Sequence, residues 1–378
     1  MKILIVGTDF PPSSGGISTY TKELANSLQK IDQVTVLAPG ADDISSFDEK
    51  CLYRIIRTPS LPILRELSFF FYIPWLLWRS NFDAVLHTVW PTALASHFFR
   101  SILPIPYFIS VHASEILDDN LTWRRRLKAR FKKRKHATLQ KATGAFPVSN
   151  YTASLLSSLG VPGDKIMIIS NGVNTDHFRP LIKDSSVGDT NTLLTVARLD
   201  LHKGHDRVLD ALILLRKEGL KPRYVIAGTG DEEISLREMV TQMGLADQVC
   251  FAGFVPEEDL PSLYNHADIF VMASREIPGR LDLIEGFGIS FLEASASGLP
   301  VVAGKSGGVA DAVKHGETGF LVNPDDPEDI ARALKILLNN PILAQKFGKN
   351  GRQWTESEMD WNKVAERLHH AIQQMAGT

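Results

Sequence analysis

The sequence predicts an α/β protein built from two doubly wound parallel sheets. Short, continuous apolar runs alternate with segments of helical apolar spacing along the whole chain, a pattern typical of βαβ units whose sheets are covered on both faces. The length of 378 residues exceeds one ordinary hydrophobic core and suits two domains. A polar stretch at residues 179–190 interrupts the alternation. We therefore predict one domain over residues 1–182 and a second over residues 183–355.

The apolar runs predict the strands of both sheets, and the helices lie between them. Open α/β sheets bind ligands beyond the carboxyl ends of their strands, so the loops that follow these runs are the candidate binding loops, and two such domains in tandem predict a cleft. The predicted strands are Ile3–Val6, Val34–Leu37, Arg54–Arg57, Ala84–His87, Tyr107–Val111, Ala145–Val148, Lys165–Ile169, Leu193–Ala197, Tyr224–Ala227, Ile269–Met272 and Pro300–Ala303.

Composition predicts a cytoplasmic globular protein. Hydrophobic residues make up 44% of the chain and charged residues 22%. Cys51 and Cys250 are far apart in sequence, which argues against a disulfide scaffold and fits a reducing compartment. The N-terminal apolar run is too short for a signal peptide. The longest apolar run, residues 67–78, is shorter than the roughly 20 residues of a spanning helix, and Pro74 interrupts it. It is either a buried helix or a shallow membrane-contacting helix.

Charge is distributed unevenly. Residues 1–185 contain 22 Lys and Arg against 15 Asp and Glu, whereas the remainder contains 19 against 28. Nine of the thirteen residues 123–135 are basic, and three apolar residues recur among them every four positions on one helix face. This segment is either a solvated helix or a surface for anionic lipid or an anionic acceptor. Nucleic acid is disfavoured, because zinc-finger spacing and aromatic RNA-binding signatures are missing. The candidate surface residues are Arg124, Arg125, Arg126, Lys132 and Lys133.

Two candidate site elements follow strands of the first half. Gly15 and Gly16 end the loop after the first strand and precede helical spacing, so the backbone there can approach a phosphate. The alternative is a glycine turn that caps the helix. The pattern differs from the Gly-x-Gly-x-x-Gly fingerprint, which disfavours NAD. His112 follows the strand Tyr107–Val111 and is either a structural histidine or a ligand contact.

The second half contains paired cations and glycine loops. Arg198 and Lys203 follow a predicted strand end, and two cations five residues apart can clamp a diphosphate. Gly228 follows the next strand, and Phe254 and Val255 precede another helix. These three residues predict a nucleobase pocket, with ordinary βα turns as the alternative.

Two carboxylates, Glu285 and Glu293, lie eight positions apart with a Gly-x-Gly between them. Carboxylates bind hydroxyl-rich ligands, and amides exposed by glycine at a helix N-terminus bind phosphate. One segment could therefore hold both the sugar and the diphosphate of a nucleotide-sugar. The residues between the carboxylates that would supply these contacts are Gly286, Phe287, Gly288 and Ile289.

Taken together, this order of motifs resembles the GT-B glycosyltransferases of family 4, which are retaining and nucleotide-sugar-dependent, over essentially the whole chain. The resemblance implies two Rossmann-like domains facing across a cleft, with a C-terminal helix at 356–378 packing back on the first domain. It implies that Arg198 and Lys203 neutralise the diphosphate, that Glu293 holds the ribose and that Glu285 contacts the transferred sugar. It further implies that His112 contacts the donor sugar and that Gly16 approaches the donor phosphate.

The loop before Glu285 indicates which nucleotide-sugar is the donor. Residues 274–284 are similar to the corresponding loop of bacterial phosphatidylinositol mannosyltransferases, which favours GDP-mannose and a lipid-linked or polysaccharide acceptor at the inner face of the cell membrane. A UDP-sugar donor (glucose, GlcNAc or galactose) is the alternative. A nucleotide-sugar epimerase, a phosphorylase and a catalytically silent nucleotide-sugar-binding or scaffold protein are further alternatives. Neither a metal nor another cofactor is expected, since the sequence contains no Asp-x-Asp. The oligomeric state stays open.

Overall fold

In a computed structural model of the protein, the residues described are 1–13, 15–41, 44–59, 62–117, 125–181, 191–280 and 283–377. The chain divides into two compact units. The first unit comprises Met1–Asn171 together with Trp361–Thr378, and the second comprises Gly172–Asp360. Each unit contains one six-stranded parallel sheet.

The sheet of the first unit has the strand order β3-β2-β1-β4-β5-β6. Its strands are β1 (Lys2–Val6), β2 (Gln33–Pro39), β3 (Arg54–Thr58), β4 (Ala84–His87), β5 (Tyr107–Val111) and β6 (Gly144–Pro147). Its helices are α1 (Gly16–Leu28), α2 (Ser45–Asp48), α3 (Pro62–Arg79), α4 (Ala93–Phe99), α5 (Ser114–Leu117), α6 (Arg125–Lys141), α7 (Asn150–Ser158) and, at the C-terminus, α14 (Trp361–Ala376).

Successive side chains of β1 are buried on opposite faces of the sheet, so both faces must be covered by helices. Ile3 and Ile5 are buried on the side of α1 and α14, and Leu4 and Val6 are buried on the opposite side, with α3, α4 and α6. Side chains of a strand alternate between the two faces, so an uninterrupted apolar run requires helices on both. The C-terminal helix α14 supplies part of this cover, and its Trp361 ring lies 5.7 Å from that of Tyr20 on α1.

The sheet of the second unit has the strand order β12-β11-β10-β7-β8-β9. Its strands are β7 (Thr192–Val196), β8 (Arg223–Ala227), β9 (Val249–Gly253), β10 (Ile269–Met272), β11 (Val301–Gly304) and β12 (Gly319–Val322). Its helices are α8 (His205–Lys217), α9 (Glu233–Gln242), α10 (Leu260–Asn265), α11 (Ile289–Ala296), α12 (Pro327–Leu338) and α13 (Pro341–Trp354).

Both sheets have the same topology, and it identifies where each can bind a ligand. Numbered within its own unit, each sheet follows the order 3-2-1-4-5-6, in which the direction of winding reverses between the first and the fourth strand. Such a reversal opens a crevice beyond the carboxyl ends of the two strands, where ligands of doubly wound sheets bind. In the second unit these strands are β7 and β10, which precede the predicted cation pair and the predicted carboxylate pair.

The strand predictions were wrong at three places. The segment Lys165–Ile169 is not a strand: Lys165 ends a 3-10 turn, and only an isolated bridge joins Ile166 to Ala145. The strands β9 and β12 were missed. They are the two edges of their sheet, where most of their residues are only partly buried, and both contain a glycine. Both runs are apolar throughout, but the glycine in each interrupts the strand pattern and resembles the glycine of a βα turn.

The division between the units lies after Asn171, whereas the sequence placed it after residue 182. The intervening segment belongs with the second unit because its backbone is bound there. Asn265 accepts from the Leu181 N–H at 2.7 Å and donates to the Arg179 carbonyl at 2.9 Å. Arg352 donates to the carbonyl of Phe178 at 2.7 Å. At the other end, a short π-helical segment, Thr355–Met359, separates α13 from α14, so the C-terminal helix begins at Trp361.

Among the described residues, no helix is both long enough and apolar enough to cross a membrane.

Candidate active site

The loops that follow β7 and β10 meet at the carboxyl edge of the second sheet. Gly204 lies between the β7 loop and α8 with φ of +71°, and a Cβ placed there would overlap the carbonyl oxygen of Ala273, the residue after β10. The backbone N–H of Arg275 donates to the carbonyl of His202 at 2.8 Å. The two loops are therefore in backbone contact, and they bring together residues far apart in sequence.

Lys203 and Glu285 form a shielded ion pair at this edge. The Lys203 Nζ donates to Glu285 Oε2 at 2.5 Å, and the two side chains are only 15% and 11% exposed. Burial raises the pKa of Glu285, but the Lys203 ammonium and its hydrogen bond, His202 and the Phe287 N–H together bring that pKa below its ordinary value. Glu285 is therefore ionised at neutral pH and fixed in position.

Arg198 shares the β7 loop with Lys203 but is in a different environment. Its guanidinium pairs with Asp200 at 2.9 Å, and 73% of its side chain is exposed. An ion pair this exposed contributes little stability, so the guanidinium is available to an incoming anion at small cost. In this state both predicted diphosphate ligands have a carboxylate partner, with which a diphosphate would compete.

Glu293 lies on α11 and has an unusual carboxyl group. The Tyr264 hydroxyl donates to its Oε2 at 2.7 Å. Burial raises the pKa of Glu293 to about 7, the Tyr264 hydrogen bond opposes this rise, and Glu257 adds to it. The two carboxylates of the motif therefore differ: Glu285 is held ionised by a cation, whereas Glu293 titrates close to neutrality.

The glycine segment between the carboxylates forms the start of α11. Gly288 has φ of +94°, a region that side chains rarely occupy, and a Cβ there would overlap the ring of Phe291. The same Cβ position lies 3.6 Å from the carboxyl carbon of Glu285, so the turn folds back over that side chain. Of the predicted amide donors, that of Phe287 already donates to Glu285, while Gly286 and Ile289 lie half-buried beside it.

The predicted residues of the first unit lie at the carboxyl edge of its own sheet. Gly15 and Gly16 are exposed where α1 begins. His112 follows β5, and its ring contacts that of Tyr20 edge-on at 4.6 Å. Burial lowers the pKa of His112 to about 4, and a hydrogen bond with the Thr88 backbone opposes that change only in part. The imidazole is therefore neutral at physiological pH.

The backbone is strained at the residue after His112. Ala113 has φ of +86°, and among the described residues no other non-glycine residue has a positive φ. An alanine in this region costs on the order of 1 kcal/mol, and such strain is concentrated at functional sites. The sequence did not indicate it, since alanine carries no turn signal.

The residues predicted for the nucleobase lie together. The Gly228 N–H donates to the Gly253 carbonyl at 2.7 Å, which joins the loops after β8 and β9. Phe254 follows immediately with 68% of its side chain exposed, and Val255 is half-buried.

The predicted basic surface is described only in part. Lys132 and Lys133 are exposed on α6. Arg124 and the side chains of Arg125 and Arg126 lie outside the described residues. Lys135, from the same basic run, is buried and donates to the Ile116 carbonyl at 2.5 Å. One positive charge of this run therefore lies inside the unit and not on its surface.

Comparison with known proteins identifies the family. The family model described as "Glycosyltransferase Family 4" matches residues 14–177, and that described as "Glycosyl transferases group 1" matches residues 179–354. The chain is 32% identical to the GDP-mannose-dependent alpha-(1-6)-phosphatidylinositol monomannoside mannosyltransferase of Mycobacterium tuberculosis, over 97% of each chain. The chain belongs to glycosyltransferase family 4. The enzyme of the same name from Mycolicibacterium smegmatis is also 32% identical to this glycosyltransferase over 97% of each chain.

Solved structures identify the fold of the glycosyltransferase as GT-B. Sucrose-phosphate synthase from Thermosynechococcus elongatus superposes with a TM-score of 0.83 at 20% identity, covering 100% of this chain and 99% of that one. HepE of Anabaena in complex with UDP superposes with a TM-score of 0.80 at 18% identity, covering 99% and 100%. The predicted GT-B class, with two doubly wound sheets, is confirmed.

A partly buried ion pair, which the sequence did not indicate, holds together the loops of the candidate site in the glycosyltransferase. Arg275, in the loop after β10, binds Asp206 in the first turn of α8 through two hydrogen bonds of 2.9 and 2.8 Å. The Arg275 side chain is 7% exposed. A bidentate pair of this kind fixes orientation as well as distance, so it holds the Lys203 loop against the loop that leads to Glu285. The partners are too far apart in sequence for any spacing rule.

Glu293 gives the glycosyltransferase a pH-dependent stability. Its pKa of about 7 in the folded state exceeds the ordinary 4.5, so the folded state binds this proton more tightly. The resulting stabilisation is complete below pH 4.5 and is lost as the pH rises through 7. We expect the free energy of unfolding of wild type to fall over this range relative to Glu293→Gln in urea titrations. The exposed Glu238→Gln is the control; a Glu293→Gln curve parallel to wild type would contradict the assignment.

Proposed function

We propose that the protein is a retaining mannosyltransferase that transfers mannose from GDP-mannose to a lipid-linked mannoside. The single observation that carries the proposal is the shielded Lys203–Glu285 pair at the switch point of the second sheet, with Arg198 on the same loop as Lys203. This edge presents two cations for a diphosphate and a fixed carboxylate for sugar hydroxyls. The relatives at 32% identity, whose names specify GDP-mannose and a phosphatidylinositol mannoside, support the choice of donor and acceptor.

The chemistry requires charge stabilisation on the leaving group. When the bond between the anomeric carbon and the diphosphate breaks, the sugar becomes oxocarbenium-like and the nucleoside diphosphate gains negative charge. Cations fixed in advance at that position lower the barrier, because they need no reorganisation during the reaction. Of the two cations, only Lys203 is fixed in advance, by Glu285. Arg198 first has to leave Asp200, at small cost because that pair is exposed, and can then bind the diphosphate bidentately.

The carboxylates and the histidine would serve the sugars. Glu285 is ionised and accepts hydrogen bonds from hydroxyls of the transferred mannose, while Glu293 accepts from the ribose hydroxyls. His112 is neutral, so it can contact the donor sugar without adding a positive charge next to an oxocarbenium-like centre. In this scheme the attacking hydroxyl enters on the leaving-group face, and the protein supplies no nucleophile.

A panel of nucleotide-sugars tests the donor. We expect GDP-mannose, at about 100 times its Kd, to stabilise the protein by roughly 2.7 kcal/mol, and UDP-glucose, UDP-GlcNAc and UDP-galactose to give no comparable shift. Slow hydrolysis of GDP-mannose should accompany the shift and should persist in EDTA, because the cations that serve the diphosphate are side chains. Loss of all turnover in EDTA would contradict the metal-independent part of the proposal.

The same panel separates the alternatives. Stabilisation by a UDP-sugar alone would assign a different donor to the same fold. Stabilisation without hydrolysis or transfer would identify a nucleotide-sugar-binding protein that lacks catalysis. For the acceptor, transfer from radiolabelled GDP-mannose should occur to phosphatidylinositol monomannoside and not to phosphatidylinositol, and the anomeric configuration of the product determined by NMR would decide whether the reaction is retaining.

A further inference from the structure

Helix α3 of the first unit is apolar on its exposed side as well as on its buried side. Phe69, Ile73 and Leu76 are buried in the core of that unit. On the other side, Phe71, Trp75 and Trp78 are 66%, 46% and 79% exposed. Positions separated by four and then three residues share a helix face, so these three rings form one stripe. The expected buried helix is therefore present, and its exposed side is also apolar.

Helix α4 and the turn after it extend the stripe. Phe98 and Ile102 are 68% and 75% exposed. The ring of Phe70 bridges the two helices, with its centroid 5.9 Å from Phe71 and 5.6 Å from Phe98. We refer to the resulting continuous surface as the aromatic face, defined by Phe71, Trp75, Trp78, Phe98 and Ile102. Large contiguous apolar surfaces of this kind mark interaction sites.

The charges around the aromatic face are cationic. The Arg79 guanidinium lies 5.6 Å from the ring centroid of Trp75. Burial lowers the pKa of His97, and Arg100, directly after α4, and Lys141, on α6, are both close enough for their positive charges to lower it further. From Ser68 to Ser114 the sequence contains a single acidic residue, Asp83. The Asp83 carboxylate accepts a hydrogen bond from the Lys2 N–H at 2.6 Å, where β1 begins.

We propose that the aromatic face is a membrane-docking surface, which inserts shallowly into a bilayer containing anionic lipid. Tryptophan and other aromatic rings favour the boundary between headgroups and acyl chains, and arginine and lysine at its rim bind anionic headgroups. The proposal concerns described residues of the first unit alone. It therefore stands for any donor sugar and does not depend on the basic residues at 124–126.

A second copy of the chain fits this surface less well than a bilayer. In a twofold contact the same patch faces itself, so Arg79 and Arg100 of one copy would lie near the same cations of the other. Residues 68–114 offer a single carboxylate per copy, Asp83, and it is already hydrogen-bonded to the Lys2 backbone N–H, so the cations of a twofold contact would outnumber the carboxylates. An anionic lipid bilayer, by contrast, can bury the rings at its interface and bind the cations through its headgroups.

Vesicle co-sedimentation of the full chain tests the proposal. The probes are vesicles of phosphatidylcholine mixed with phosphatidylglycerol, and pure phosphatidylcholine vesicles as the neutral reference. We expect binding to the anionic vesicles, a reduction of roughly tenfold in partitioning for Trp78→Ser, and a larger reduction when Phe71→Ser and Phe98→Ser are added. The matched controls are Leu52→Ser and Ile234→Ser, which remove side chains that are 90% and 74% exposed elsewhere and should leave partitioning unchanged.

A second set of variants tests the charges. Arg79→Gln and Arg100→Gln should each weaken binding by roughly fivefold at low salt and reduce its salt dependence. All the substituted side chains are at the surface, and thermal unfolding checks that the variants fold. The proposal is overturned if wild type does not bind anionic vesicles or if the serine variants bind as wild type does. It is equally overturned if sedimentation velocity shows that these variants convert a dimer to a monomer while vesicle binding stays the same.

Discussion

Lys203→Ala is expected to reduce turnover with the nucleotide-sugar by roughly a thousandfold. The Lys203 ammonium is the shielded cation of the candidate site and is held at 2.5 Å from Glu285. Its removal takes away the cation that the proposed mechanism places at the departing diphosphate. The measurement is kcat under saturating donor, so that weakened binding is separated from slower chemistry. Lys217→Ala, an exposed lysine at the far end of α8, is the control and should retain wild-type turnover.

The same variant should also lose stability, for a different reason. Without the ammonium, burial dominates and the pKa of Glu285 rises. Leaving one partner of a shielded pair alone costs about 3 kcal/mol. Adding Glu285→Gln removes the unpaired charge, so the double variant should regain much of the stability measured by urea unfolding. It should not regain turnover. Recovery of both quantities would show that Lys203 serves only to neutralise Glu285, and near-normal turnover of Lys203→Ala would remove it from the diphosphate site.

Gly204→Ala is expected to lower the free energy of unfolding by about 3 kcal/mol or more, and to lower activity in whatever fraction still folds. Two costs combine at this position. Its φ of +71° is unfavourable for alanine, and the added Cβ would overlap the Ala273 carbonyl, which is backbone and cannot rotate away. The loops after β7 and β10 would have to separate, and that would displace Lys203 from Glu285.

The other end of α8 provides the control for backbone strain. Gly219 has φ of +85°, but a Cβ there would have no neighbour within 4 Å. Gly219→Ala therefore pays only for the left-handed conformation, about 1 kcal/mol, and should keep full activity. The difference between the two variants in urea unfolding measures the contact between the loops. Equal losses would show that this contact contributes nothing.

Central strands could be predicted from the sequence because a strand that is buried on both faces is a continuous apolar run. The strands β4, β5 and β10 match their predicted bounds, and each is buried along its whole length. The strands β9 and β12 were missed because each contains a glycine, as the neighbouring loops do, whereas the edge strands β3 and β6 of the first sheet were predicted. The error at Lys165–Ile169 has the opposite origin: the run is apolar, but it makes only an isolated bridge.

The candidate site could be predicted only as separate parts. Arg198 and Lys203 were recognisable because they lie in a loop after a predicted strand, and Glu285 and Glu293 because they lie eight positions apart with a Gly-x-Gly between them. Asp200 and Tyr264, the partners of Arg198 and Glu293, were not recognisable because they show no distinguishing pattern, and neither were Asp206 and Arg275, which bind each other. Pairing between Arg275 and Asp206 depends on two loops meeting at one sheet edge, and that follows from the crossover topology.

The sequence by itself determined the fold class, the family and the identity of the charged residues, because periodicity, glycine placement and motif order are local properties. Only the tertiary structure decided the state of those residues. It paired Lys203 with Glu285 in a shielded contact and left Arg198 exposed beside Asp200. It buried Glu293 against Tyr264, which moves its pKa to about 7. The reason is physical. The pKa of an ionisable group, and therefore its charge, depends on its burial and on its neighbours, and both are set by residues distant in sequence.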